Sequence, residues 1–162
     1  MAVDREKLIK TKKESRKFYS EIGEVYCAYL KEKVHFNDKG FNHILNRTWN
    51  RGRSDIEQYA RLRLLPKVVE IIRKSTTLQE YDERKMMVRQ KINSRWEKRL
   101  KSVNYFVFVS LYPDAGVRIK VIIKHIEGGR PYFWSVYPSW RVSRYENGGN
   151  KKVFYKGNLE ED

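Results

Sequence analysis

The stretch from Asn104 to Trp140 constrains the fold most, because it holds three runs rich in β-branched and aromatic residues with only short gaps between them. The runs are Tyr105–Tyr112, Val117–Ile126 and Tyr132–Tyr137. Pro113-Asp114-Ala115-Gly116 parts the first two, and Glu127-Gly128-Gly129-Arg130-Pro131 parts the last two. Strand-like runs joined by gaps of this kind form hairpins, which predicts a three-stranded antiparallel meander over 104–140. Further on, Trp140–Glu146 and Lys151–Lys156 flank Asn147-Gly148-Gly149-Asn150, a turn signal that predicts a fourth strand or a terminal hairpin. The expected fold class is therefore α+β, with N-terminal helices packed on a three- to four-stranded antiparallel sheet.

Side chains alternate between the faces of a strand. In the middle run Ile119, Val121 and Ile123 share one face, while Arg118, Lys120 and Lys124 share the other. The cations stand over the centre of the meander. Either that face is simply wet, as antiparallel sheets often are on one side, or it is a platform for an anion.

At 162 residues the chain reads as one domain. Within it we expect a mainly helical half over 1–75, a basic segment over 76–103, the sheet over 104–157 and an acidic tail over 158–162. Asp4 to Lys33 is expected to be helical though uneven, with Val25, Tyr26, Tyr29 and Leu30 as a buried stripe. Val34-His35-Phe36 is a brief extended piece, and a helix follows from about Lys39 to Trp49. Its apolar face is Phe41, Ile44, Leu45 and Thr48, which leaves His43 on the polar face one turn before Arg47.

Arg51-Gly52-Arg53 is a basic loop. Ser54-Asp55-Ile56-Glu57 has the form of a capping box, opening a helix in which Pro66 predicts a kink or break near Leu65. Arg61 falls on the apolar stripe of that helix, where a guanidinium needs a partner: a structural ion pair or a ligand. From Arg84 to Lys101 cations crowd together, and Val88, Ile92, Trp96 and Leu100 recur every four residues. This predicts an amphipathic helix that faces water or touches nucleic acid, with a strand also open in its early part.

Charge is the strongest global signal. Thirty-five Lys and Arg stand against 20 Asp and Glu, a net +15, which favours polyanions and nucleic acid foremost, with an anionic membrane surface behind it. No apolar run approaches membrane-spanning length. Cys27 is the only cysteine and the three histidines are scattered, so the sequence offers no disulfide and no metal site by ligand spacing, and no cofactor is expected. A reducing cytosol is the expected compartment. No nucleophile elbow, Walker loop or dinucleotide fingerprint is present, and the acidic residues are not grouped as two-metal nucleases require.

The remaining histidines, cations and hydroxyls suit metal-free RNA cleavage by the substrate's own 2′-hydroxyl, in which protons are moved and a crowded phosphorane is stabilised by cations. Three motifs add to this. They are Val34-x-Phe36-Asn37-x-Lys39-Gly40-Phe41-x-His43, then Arg61-x-x-Leu64-Leu65-Pro66-x-Val68, then Lys120-Val121-Ile122-Ile123-Lys124 with Gly129 and Phe133-Trp134-Ser135-Val136-x-Pro138. Together they resemble the phage-associated branch of the barnase/EndoU/colicin/RelE-like ribonuclease superfamily, from about Phe18 onward. The resemblance implies helices packed on a four-stranded antiparallel sheet, and cleavage without metal. It also implies His43, Arg61 and Ser135 as catalytic residues.

Arg47, Arg53, Arg118, Lys120 and Lys124 are the candidate RNA contacts. An endoribonuclease of toxin or phage-effector type leaves room for a neutralising protein partner. The alternative is a non-catalytic RNA- or DNA-binding module, with Trp134, Tyr132 and Phe106 stacking on bases or else packing in the core. The enzyme requires His43, Arg61 and Ser135 to converge; the binder does not.

Overall fold

The computed structural model describes residues 3–112, 117–139 and 158–162. The fold is α+β, but its sheet is larger than the predicted meander and is mixed. Six strands run in the order β1-β2-β8-β7-β6-β5 and curl into a half-barrel; β3 and β4 form a separate two-stranded piece. The element ranges are α1 Arg5–Ile22, β1 Glu24–Cys27, β2 Glu32–His35, α2 Asp38–Leu45, β3 Asn46–Thr48, β4 Arg51–Gly52 and α3 Asp55–Lys74, then β5 Glu80–Ile92, β6 Arg95–Tyr112, β7 Val117–Ile126 and β8 Tyr132–Ser139. β2 meets β8 in parallel, with His35 opposite Tyr132, and every other pair in the sheet is antiparallel.

Several expectations fail, among them the helix expected from Lys39 to Trp49, which ends at Leu45 where the chain enters β3. The expected helix over residues 4–33 ends at Ile22, because Gly23 takes φ +69° and turns the chain. Val25 and Cys27 then alternate with exposed neighbours, the period of a strand, so the β1–β2 hairpin adds two strands to the sheet. The basic segment is a ribbon of strands, not a helix. Its every-fourth-residue apolar positions are also compatible with a period of two, and Asn93-Ser94, both at positive φ, reverse the chain between β5 and β6. Pro66 does not break α3, which runs unbroken to Lys74 with Leu62, Leu65, Val68, Ile71 and Ile72 buried. That tertiary burial outweighs a local penalty of about 3 kcal/mol.

Other local signals act as their chemistry suggests. Ser54 caps α3 by accepting from the Glu57 N–H at 3.3 Å, and Asn37 caps α2 by accepting from Gly40 at 3.2 Å. Residues 140–156, the place of the predicted fourth strand or terminal hairpin, lie outside the described residues.

The sheet is covered differently on its two faces. On one, the three helices bury Phe108, Ile119, Val121, Ile123, Phe133 and Val136 in the main core. On the other, Val103, Tyr105, Val107 and Ile122 close over Leu159, which comes from the short acidic segment Asn158–Asp162. We call this segment the strap. α2 is pressed on β8 at Gly40, where any Cβ would fall on the Phe133 main-chain oxygen and within 2.7 Å of the Tyr19 hydroxyl. This close approach sets the height of α2 above the sheet, and so the position of His43 one turn later.

Candidate functional site

Where the strap crosses the sheet, cations from three elements gather beneath it. Arg53 leaves the end of β4, Arg61 rises from the first half of α3, and Lys124 stands on β7. All three are buried, with Arg53 5% and Lys124 6% exposed. Burying a cation is costly unless it is paired, and the strap supplies the partners.

The main-chain oxygen of Asp162 accepts from Arg61 Nη1, from Ser135 Oγ at 2.7 Å and from Arg53 Nη2 at 3.3 Å. Arg53 Nη2 also donates to the Glu161 oxygen at 2.8 Å. The Glu160 carboxylate takes Lys124 Nζ at 2.7 and 2.9 Å and the Tyr105 hydroxyl. Trp134 Nε1 donates to the Glu160 oxygen at 3.1 Å, and Arg84 donates to Asn158 at 2.8 Å.

Trp134 and Ser135 are neighbours in sequence, yet both face this site. A β-bulge makes that possible. Ile122 pairs with Ser135 and Ile123 with Phe133, so Trp134 is the extra residue and the alternation of faces is interrupted. Trp134 then stacks on His43 at 4.0 Å with 13° between the rings, and Lys124 Nζ lies 4.0 Å from its centroid. Ser135, fully buried, accepts from Arg61 at 2.7 Å while donating to Asp162.

His43 is not on a solvent face as its helical spacing predicts. It is 5% exposed, because α2 turns the face bearing it toward β8 and the β4 end. Its Nε2 lies 3.1 Å from Arg53 Nη2, and Arg53 Nε donates to the His43 carbonyl at 3.1 Å. Burial, reinforced by Arg53, Arg61 and Lys124, lowers its pKa to about 2, so the ring is neutral. The chief cause is desolvation, with three neighbouring cations adding to it. Burial also lowers Arg61 to about 9 and pushes Lys124 down, against the upward pull of Glu160. The Asp162 carboxyl is raised by burial in spite of Arg61, Arg47 and Arg53.

Beside the strap opens a cleft of about 1010 Å³. Lys39, His43, Arg47 and Trp49 line one wall and Arg84, Met86 and Val88 the other, over a floor of Lys124, Tyr132 and Trp134. Trp49 is 94% exposed at its rim. Arg53 Nη1 is buried without a hydrogen-bond partner among the described residues, a donor still open to a ligand.

The structure thus brings His43, Arg53, Arg61, Lys124 and Ser135 together and places Arg47 on the cleft wall. Lys120 is on the same sheet face but pairs with Glu80 at 2.7 Å. Arg118 lies toward the other end of β7, in register with Leu111 and Ser139. Sequence reasoning missed Tyr105 and Glu160 as members of the site. The acidic run Glu160-Glu161-Asp162 in a chain of net +15 was the available signal. Among the described residues no three His, Cys, Asp or Glu side chains are grouped to hold a metal ion, and no helix is long and apolar enough to cross a membrane. In comparisons with known proteins, no protein-family model, curated protein or solved structure matches the chain.

Proposed function

We propose that RNA binds along the cleft and in the adjoining site now filled by the strap, and is cleaved there without metal through attack of the 2′-hydroxyl on the adjacent phosphorus. The observation that carries this is the convergence of Arg53, Arg61 and Ser135 on one oxygen atom. Three donors held rigidly around one oxygen, two of them cationic, are what a non-bridging phosphoryl oxygen needs as charge builds on the phosphorane. The Glu160 carboxylate marks a second anion subsite, made by Lys124 and Tyr105. The strap therefore lies where substrate phosphates would lie.

In the reaction the 2′-oxygen bonds to phosphorus, the bond to the 5′-oxygen breaks, and the products are a 2′,3′-cyclic phosphate and a 5′-hydroxyl. Lys124, an ammonium whose pKa is drawn down by burial, is placed to give a proton to the departing oxygen. With the strap in place, His43 cannot be the base, since Arg53 covers its Nε2 and its pKa is about 2. It takes the 2′-proton once the strap has given way, which lets water reach the ring and relieves the desolvation, and Arg53 has turned from Nε2 to a substrate phosphate.

That same state of His43 favours a second reading, a module that binds RNA and does not cut it. Incubation with total RNA in EDTA decides between them, using the full chain and a chain ending at residue 157. Cyclic-phosphate ends are expected, more abundant for the shorter chain. Intact RNA bound by both chains would leave only the binding module, and absence of binding by both would end both readings.

A further inference from the structure

β6 pairs with β7 only from Val103 onward, so the outer parts of β5 and β6, from Lys85 to Ser102, form a two-stranded arm with no third strand beside it among the described residues. Eight residues of extended chain on each side carry it about 27 Å beyond the sheet. Counting from Lys85 through Ser102, the arm has seven Lys and Arg and a single acid, Glu97. Directly opposite residues share a face. On one face the ladder reads Met87 with Leu100, Arg89 with Lys98, and Lys91 with Trp96. Met87, Trp96 and Leu100 are each at least 60% exposed, and the Arg89 guanidinium sits 5.0 Å from the Trp96 ring centroid.

Like charges set directly opposite one another weaken a ribbon. Arg89 and Lys98 do this with no acid between them among the described residues, so the arm is built against its own repulsion, and an anion laid along it relieves that cost. A second copy of the chain is a poor occupant, since pairing two arms would oppose seven cations to seven. A membrane surface is also a poor fit. The apolar side chains are interleaved with cations, and Arg95, Arg99 and Lys101 occupy the opposite face, so neither side offers an apolar layer.

We propose that the outer part of the arm, beyond the Met86–Val88 stretch that walls the cleft, is a docking surface for single-stranded RNA, its cations tracking phosphates and Trp96 stacking on a base. This rests on RNA being the ligand of the cleft, though not on its cleavage. The arm would add affinity for long strands and none for short ones that fill the cleft alone.

The test is a triple variant, Arg89→Gln, Lys98→Gln and Trp96→Ala, all on exposed positions of the arm, compared with the parent chain. The probes are 2′-O-methyl RNA oligomers of about 20 and 4 nucleotides, which lack the attacking hydroxyl and so report binding alone. Loss of stacking and of two phosphate contacts should weaken the longer oligomer about tenfold or more and flatten its log–log salt slope by about 1.4. The shorter oligomer should bind both proteins equally. Unchanged affinity and slope for the longer oligomer overturn the arm while leaving the cleft reading intact. An equal loss for the shorter oligomer also overturns it, because the arm would then be part of the cleft. So does a variant that loses only binding to phosphatidylserine vesicles, or only self-association in sedimentation. If neither oligomer binds the parent chain, both the arm and the RNA reading of the cleft fall.

Discussion

The strap-covered site and the arm hold cations in opposite ways. Arg53, Arg61 and Lys124 are buried, each tied to a named atom, and their pKa values are pushed down by desolvation. All but one of the arm's cations stand exposed to water, and among the described residues Glu97 pairs with Arg99. A buried cation needs one partner in one place, which gives geometry and discrimination. A solvated row of cations asks little of its partner, which gives reach and salt dependence. A net charge of +15 says nothing about this division of labour.

The largest effect is expected at Arg61. Arg61→Ala should lower RNA cleavage about 10²–10³-fold, as loss of one oxyanion donor does. Scored per folded molecule by quantitative melting and single-turnover cleavage, a destabilised variant with normal activity would make Arg61 a structural ion pair.

Removal of the strap comes second. A chain ending at residue 157 loses the burial of Leu159, worth about 1.5–3 kcal/mol, and leaves three buried cations without those partners. It should melt lower than the full chain and recover when 2′-O-methyl RNA is added, by about 2.7 kcal/mol at a hundred times the dissociation constant. The full chain should respond less. Equal response would mean that the strap does not compete with the ligand.

A pH titration sharpens the contrast further. His43 has a folded pKa of about 2 against an ordinary value near 6.5, so its neutral form is favoured by folding. Its contribution is complete above pH 6.5 and is lost as pH falls below it, because the unfolded chain then takes up a proton that the folded one refuses. The limiting slope is about 1.4 kcal/mol per pH unit. His43→Phe keeps a ring against Trp134 and removes the titration, so its stability between pH 6.5 and 5 should be flatter than that of the parent in denaturant titrations.

The smallest effect is expected on the arm. Arg99→Ala breaks an exposed pair with Glu97 and should change stability by no more than about 0.5 kcal/mol, while Lys124→Ala should cost several times that. Equal costs would erase the distinction between the two regions.

Much of the site's membership was legible in the sequence, and little of its geometry. Arg61 declared itself by standing on an apolar stripe, and the alternation in β7 placed Lys124 on the face away from Ile119, Val121 and Ile123. His43 was misplaced because helical spacing within eight residues says which side chains share a face, not which neighbour a face meets. The bulge at Trp134 is invisible to any pattern of alternation, since it is a break in that pattern. The arm was misread because Val88, Ile92, Trp96 and Leu100 satisfy two periods at once. The weak reversal at Asn93-Ser94, where Ser takes a positive φ usually left to glycine, gave little sign of a hairpin. The parallel contact of β2 with β8 joins residues nearly a hundred positions apart, which local signals do not encode.

A strap covalently joined to the site it fills is a competitor that never dilutes. Its effective concentration is fixed by the chain and not by the solution, and a free ligand must displace it at every encounter. A mononucleotide with one phosphate cannot replace contacts spread over Asn158, Glu160, Glu161 and Asp162 together. A strand with several phosphates can, and one already held on the arm would bring its own high local concentration to the contest. For the proposed RNA ligand, the feature would therefore set a threshold on valency, screening strands by how many phosphates they present in a row.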